Sequence, residues 1–563
     1  MRRTWLDLVG LALLMISCGD DPPPPPGPPK LHVGGSISGL TGSITLQLNG
    51  AESLTRSENG SFTFQSELED QSAFTVTITQ APAEQDCSLQ GATGKLNGTH
   101  VTSVKVACTS RTYTLQGTVE GLTGSLQLRL GDETLSIPGD GPFTFQTRLP
   151  KGTTYAVSLV AQPKGRRCSL TNESGTVTGN VTGISVQCMP WFDLANFQNA
   201  TLVLGQSDFT SNLENRGGTP GPSTLASPFG NPLLVGGKLY VPDNGNNRIL
   251  GFNGLPSQNG ASAAFVLGQP DLTSGTARSG RDGLSSPNGL SSNGTLLAAA
   301  DGSNNRVLLF STLPSSTETA PDLVLGQPDF TSNTPRCDAR SLSFPEDVFI
   351  GHGKLVVADT ENHRVLIWNS IPTTNGVPAD LVLGQGSFTT CVSNDTNGDG
   401  TQESIPTAST LSFPGGVWTD GTRLLVVDSS NYRVLLWNEF PTTNGQPADV
   451  VLGQPDFNTV AETTTAESLR GPRSIASTGQ QIFVVEKENH RVLVWNQFPA
   501  TNGAAADVVL GQPDFTSRNL GDPTPGTIPS ARSLYQPTSL FLAIPYLGVV
   551  DRGNNRLLLF ESR

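Results

Sequence analysis

Charge is scarce in this sequence: of 563 residues only 15% are Asp, Glu, Lys or Arg, and aromatic residues make up 6%. So little charge excludes coiled coils and long solvent-exposed helices, whose outer faces are built from charged side chains. The 34 Lys and Arg are outnumbered by 48 Asp and Glu, leaving a formal net charge of −14, and the cations form no cluster along the chain. A nucleic-acid partner needs clustered cations to release counterions from phosphates, so that partner class is excluded. No stretch beyond the first twenty residues is apolar enough to span a bilayer. The seven cysteines include no Cys-x-x-Cys pair of the kind that holds zinc or exchanges disulfides. No Gly-x-Ser-x-Gly nucleophile elbow is present either. What is abundant is Gly (62), Pro (41), Ser, Thr and Asn. That composition predicts an all-β chain of many short strands joined by turns.

The first thirty residues set an address. Arg2 and Arg3 precede a short apolar run from Leu8 to Ile16, too short to cross ~30 Å of hydrocarbon. The run ends in Met15-Ile16-Ser17-Cys18, which resembles the lipobox of bacterial lipoproteins, with Met in place of the commoner Leu. The resemblance implies a signal peptide over 1–17, a lipid anchor on Cys18, and a location in the bacterial cell envelope facing the periplasm or the cell surface. Residues 18–30, with Pro22 to Pro26 and Pro28-Pro29, then read as a stiff polyproline stalk.

Residues 31–109 and 110–190 are two copies of one module. Gly39-Leu40-Thr41-Gly42-Ser43 recurs as Gly121-Leu122-Thr123-Gly124-Ser125, and Phe62-Thr63-Phe64-Gln65 as Phe143-Thr144-Phe145-Gln146. Alternating stretches such as Ser43 to Leu48 have the period of half-buried strands and predict two β-sandwich-like modules. Cys87 and Cys108 map onto Cys168 and Cys188, so one disulfide is expected in each copy, compensating for a small core. Cys337 and Cys391 complete an even set, as expected of an exported chain, and are expected to bridge. His32 and His100 are read as surface histidines without partners.

Residues 191–563 carry six repeats. One landmark is Val-Leu-Gly-Gln, with its Leu at 204, 267, 325, 383, 452 and 510. The other is an acidic residue followed by Asn-x-Arg, beginning at Asp243, Asp301, Asp359, Asp428, Glu486 and Asp551. The acidic residue always precedes the next Val-Leu-Gly-Gln Leu by 24 positions, and a Pro lies 14 positions before it in five repeats; the first repeat has Phe229 there. All length variation therefore falls between Val-Leu-Gly-Gln and the Pro. Strands a to d are expected, in the third repeat, at 348–350, 354–358, 364–368 and 379–383. Consecutive apolar residues in b to d predict sheets buried on both faces, as in four-stranded sheets stacked around a channel.

Pro414-Gly415-Gly416-Val417 with Asp428-Ser429-Ser430-Asn431-Tyr432-Arg433-Val434 resembles the NHL repeat. The resemblance implies a six-bladed β-propeller. Because one Val-Leu-Gly-Gln precedes the first full repeat and the last repeat stops at strand c, the leading strand is expected to complete the final sheet and leave no free edge.

Candidate site residues follow from where repeats differ. The Asp-x-x-Asn-x-Arg group recurs in every repeat and is read as a structural turn. Positions just after the repeat Pro vary, and Glu346, Asp347 and Arg473 are the expected ligand-binding residues near the channel mouth. Asp395-Thr396-Asn397-Gly398-Asp399-Gly400 resembles the start of an EF-hand calcium loop, with Glu403 at its ninth position and Pro406 where a bidentate Glu belongs. Calcium at Asp395, Asn397, Asp399 and Glu403 is the one cofactor expected. Some NHL-like propellers are lyases or lactonases with a channel metal, but here the propeller has only His352, His363 and His490, placed in turns. The expected function is non-enzymatic: a surface-anchored scaffold binding a protein, peptide or glycan on one propeller face. A metal-dependent lyase or lactonase is the alternative.

Overall fold

The computed structural model describes residues 27–523 and 529–563; the expected signal, Cys18 and most of the Pro-rich stalk lie outside the described residues. Among the described residues every regular element is a strand or a single 3-10 turn, and no helix is long and apolar enough to cross a membrane.

Each N-terminal module packs two four-stranded sheets. In the first, Gly60–Thr63, Val33–Ser38, Val101–Ser110 and Gln85–Gln90 form one sheet and Glu52–Arg56, Ile44–Leu48, Ala73–Gln80 and Thr93–Lys95 the other; the second module repeats this order. The alternation expected at Ser43–Leu48 is seen: Ile44, Leu46 and Leu48 enter the core with Phe62, Phe64 and Val104, while Thr45 and Gln47 stay partly exposed. Cys87 and Cys108 lie directly opposite each other on paired strands and are bonded, as are Cys168 and Cys188. Closing loops of 21 and 20 residues, each bridge constrains the unfolded chain by about 3 kcal/mol. The two histidines of the first module are partnered after all: the His32 backbone N–H donates to His100 Nδ1 at 2.9 Å and the rings stack at 5.4 Å. The parallel pairing of Val33–Ser38 with Val101–Ser110 brings them together, which linear spacing does not reveal.

The C-terminal part is a ring of six four-stranded antiparallel sheets. Strand a of each sheet touches strand a of the next, and that of the sixth touches that of the first. Sheet six is completed by Leu202–Leu204, paired with Arg556–Glu561 in the register Leu202↔Leu559, Val203↔Leu558, Leu204↔Leu557. Strand d is shorter than expected, Leu381–Leu383 in sheet three, and strand a longer, Pro345–Gly351. Strands b and c are buried except at a few end residues such as Lys238, Lys354, Tyr546 and Glu561, and Trp368, Trp437 and Trp495 fill the space between sheets, each indole N–H donating to a loop carbonyl.

Three recurrent ties hold the ring. First, the acidic turn is internal: Asp301 and Arg306 are fully buried, Arg306 Nε donates to Asp301 Oδ2 at 2.7 Å, and the guanidinium reaches Phe330 O and Gly280 O in the loops on either side. A buried pair of this kind is tolerated because each guanidinium nitrogen has an acceptor. Second, in five of the six repeats the left-handed residue of Asn-x-Arg accepts from the next sheet's chain just before its Pro, the exception being Tyr432, whose hydroxyl donates to Glu462. Asn305 Oδ1 accepts from Phe344 N, and Asn555 Oδ1 from Ser227 N across the closure. Third, the c–d loop clasps the preceding sheet's outer strand, through an Asn-Gly in four sheets and through Thr317 in sheet two. Asn375 Oδ1 accepts from Val324 N and Gly376 N donates to Val324 O. The sixth clasp comes from the lead-in segment, where Asn196 and Phe197 grip Val509 in the same way. An exposed edge is thereby covered at every sheet.

Candidate functional site at the ring axis

Strand a of every sheet enters beside the axis, so the two residues after its Pro form two stacked layers. The first repeat is offset by one: Ser227, in left-handed conformation, precedes Pro228 just as Ser286 precedes Pro287. Pro228, not Phe229, therefore occupies the Pro position, and Phe229 joins the outer layer. That layer is Phe229, Asn288, Glu346, Gly415, Arg473 and Thr538.

The inner layer is a plug built around Asp347. Its Oδ1 accepts from Asn231 Nδ2 at 2.9 Å and from Val348 N at 2.9 Å, and its Oδ2 accepts from Val417 N at 2.9 Å. Ser474 Oγ donates to Asn231 Oδ1 at 2.6 Å, extending the network to a fourth sheet. Gly289 is required here, since a Cβ would lie 2.1 Å from Asp347 Oδ1. A cavity of only about 10 Å³ separates this layer from the one above. Burial pushes the Asp347 carboxyl up to about 7, against the opposing pull of its three N–H donors. Asp347 is 3% exposed and its oxygens are occupied from within the ring.

Above the plug lies a depression of about 250 Å³. Glu346 and Arg473 meet at its floor, Arg473 Nη1 lying 3.5 Å from Glu346 Oε1. Glu346 Oε2 and Arg473 Nε are buried and have no hydrogen-bond partner among the described residues. The wall is a third layer, the residue following each turn acid: Asn244, Gly302, Thr360, Ser429, Lys487 and Arg552. Lys487, Arg552 and Asn244 line the depression with Phe229 and Phe344. Burial pushes the Glu346 carboxyl up although Arg473 and Lys487 stand near it. Burial also pushes the Lys487 ammonium down, and the neighbouring Arg473 and Arg552 push it further.

The structure thus brings Glu346, Asp347 and Arg473 to one axis, with Asp347 beneath the other two. Sequence reasoning missed Phe229, Asn231, Asn244, Lys487 and Arg552. The signal for Asn244, Lys487 and Arg552 was present: the position after each turn acid also differs from repeat to repeat.

The remaining expected sites lie apart. Cys337 and Cys391 are bonded, joining two d–a loops. Ligand oxygens of Asp395, Asp399 and Glu403 lie within 4.8 Å of one another. Both Asp395 oxygens accept from loop amides, Gly398 N and Gly400 N, and Asn397 Oδ1 accepts from Asp399 N. His363 and His490 take the Asn role in the second tie, their Nδ1 atoms accepting from Phe413 N and Gln536 N. Burial lowers the basicity of both. His352 stands in the a–b turn after strand Pro345–Gly351, away from Asp347 and Arg473.

No protein-family model matches the chain, and no curated protein does. Among solved structures, virginiamycin B lyase from Staphylococcus aureus is 12% identical with a TM-score of 0.30, over 58% of this chain and 78% of that one. The PQQ-bound aldose sugar dehydrogenase from Streptomyces coelicolor is 16% identical with a TM-score of 0.34, over 61% and 96%. A nidogen/laminin complex is matched at 13% identity with a TM-score of 0.27, over 62% and 95%. These are β-propeller-type proteins, and at such identities none lends its activity to this chain. Three disulfides suggest a compartment outside the reducing cytosol. The chain is an all-β, disulfide-bridged protein whose repeats close into a β-propeller-type ring.

Proposed function

We propose that this chain is a non-enzymatic binding protein of the bacterial cell envelope. It is anchored through Cys18, lifted by its stalk and two β modules, and equipped with a six-bladed NHL-type propeller whose channel mouth receives the ligand. The observation that carries this reading is the contrast between two layers of the axis. The inner layer is sealed by Asp347 and its donors, whereas the layer above presents buried polar atoms without partners and a cluster of cations. Groups left unsatisfied in a hollow are what a bound ligand satisfies.

A metal-dependent lyase or lactonase needs several imidazoles or carboxylates aimed at one point in the channel. His363 and His490 are spent in the ties between sheets, and Asp347 is saturated by N–H donors. Metal analysis of the purified chain distinguishes the two readings: stoichiometric zinc or iron retained at the axis would overturn the binding reading. Glycan and peptide arrays probed with the chain and with a Lys487→Ala/Arg552→Ala variant test it directly, the signal being expected from the parent and lost in the variant. As an accessory feature, we propose calcium at Asp395, Asp399 and Glu403. Calcium titration followed by near-UV circular dichroism, with Asp399→Asn as the blind variant, checks it.

A further inference from the structure

Three cations and one buried carboxyl group share the channel mouth, although the chain as a whole carries a net charge of −14. Arg473 is engaged by Glu346. Lys487 and Arg552 are only half-buried, and neither forms a salt bridge within 4.0 Å among the described residues. Arg473 and Arg552 push on the Lys487 ammonium more strongly than Glu488 and Glu346 offset, an arrangement that costs stability unless a further anion sits among the cations. An anionic group is therefore one part of the ligand.

The second part is read from the floor. Glu346 Oε2 and Arg473 Nε are an acceptor and a donor, both buried and both without a partner. The Glu346 side chain is 10% exposed. A hydroxyl satisfies such a pair, because it donates through its hydrogen and accepts through its lone pairs. Asn244 donates its amide hydrogens to Pro287 O and Asn288 Oδ1, which leaves its carbonyl oxygen as the group it can offer to a further hydroxyl. Phe229 and Phe344 add apolar surface to the walls. A volume of about 250 Å³ is below the usual range for drug-sized ligands and suits a single ring.

Carboxylate, hydroxyls and an apolar ring face within one small hollow define a chemical class. We infer that the channel mouth binds a carboxylated sugar residue, a uronate, with its carboxylate between Lys487 and Arg552 and a ring hydroxyl between Glu346 and Arg473. This rests on the binding reading given above and narrows it to acidic glycans. A simple carboxylate such as acetate has no hydroxyl to donate to the Glu346 oxygen, phosphate brings one but no apolar ring face for Phe229 and Phe344, and a neutral sugar leaves Lys487 and Arg552 unmet.

Isothermal titration of the purified chain with sodium glucuronate, glucose, sodium acetate and inorganic phosphate tests the inference. Glucuronate is expected to bind one to one, and glucose, acetate and phosphate each about tenfold or more weaker, the worth of one charge-assisted contact. Lys487→Ala and Arg552→Ala are each expected to weaken glucuronate by about tenfold and to fold normally, since neither removal strands a buried partner. Lys487→Glu provides a second, stronger loss. Equal affinity for acetate or phosphate would overturn the sugar assignment, and equal affinity for glucose would overturn the carboxylate assignment. If glucuronate fails while an array peptide or neutral glycan is retained and lost in the Lys487/Arg552 variant, this inference falls and the binding function stands. If nothing binds in either experiment, both fall.

Discussion

Glu346 and Arg473, 127 positions apart in the chain, meet across the ring axis with 3.5 Å between carboxylate oxygen and guanidinium nitrogen. They belong to the third and fifth sheets and occupy the same position of the repeat, the one following its Pro. The pair exists only because the ring closes.

Removing one partner leaves the other charge poorly compensated. Arg473→Ala is expected to destabilise the chain by about 1–2 kcal/mol, less than for a fully buried pair because Arg473 is 28% exposed. Adding Glu346→Gln to that variant is expected to recover part of the loss. Thermal denaturation of the two single variants and the double variant measures the coupling.

The plug carboxyl links stability to pH. Asp347 has its folded-state value raised to about 7 from an ordinary 3.8. Its contribution is therefore fully present in acid and is lost as pH rises through about 7, because ionising it in the plug is unfavourable. Urea denaturation from pH 4 to pH 8 is expected to show stability falling across that window from this group. Asp347→Asn starts lower, since its new amide meets the Val417 N–H, but lacks that slope. A variant that keeps the full slope would refute the assignment.

The clasps are uneven around the ring. Asn375, Asn444 and Asn502 accept from outer-strand N–H groups at 3.0, 3.1 and 3.0 Å, and the Gly that follows each returns a backbone bond. Sheet two has Thr317 instead, at 3.3 Å from Val266 N, followed by Glu318 where the others have a left-handed Gly. Replacing Thr317-Glu318 by Asn-Gly is expected to stabilise the ring by about 0.5–1.5 kcal/mol. Asn444→Ala is expected to cost a similar amount. Melting temperatures of the two variants check both signs.

Closure depends on the lead-in segment. Leu202–Leu204 supplies the outer strand of sheet six, and Asn196 clasps sheet five. A chain starting at residue 191 is expected to remain monomeric, whereas one starting at 207 exposes the edge of Arg556–Glu561 and is expected to associate. Size-exclusion chromatography with light scattering separates the outcomes.

Much of the architecture was legible because it is repeated. The constant spacing of 24 from turn acid to the Val-Leu-Gly-Gln Leu placed strands b, c and d of every sheet, and the unmatched first Val-Leu-Gly-Gln pointed to the closure seen at Leu202–Leu204. The buried Asp–Arg turns are structural, as their recurrence indicated. The axis was less legible. Glu346, Asp347 and Arg473 stood out as variable positions, but Phe229 was misplaced by the single-residue offset of the first repeat, and Lys487 and Arg552 went unread in their turn.

The sequence alone determined the number of repeats, the strand order within each and the pairing of cysteines within each module, because these depend on local spacing and on residues close in the chain. Only the tertiary structure decided which variable residues face one another. Closing the ring sets sheets one, three, four and five around the same few cubic ångströms. That proximity turns Asp347 into a sealed plug and leaves Glu346, Arg473, Lys487 and Arg552 at an open mouth.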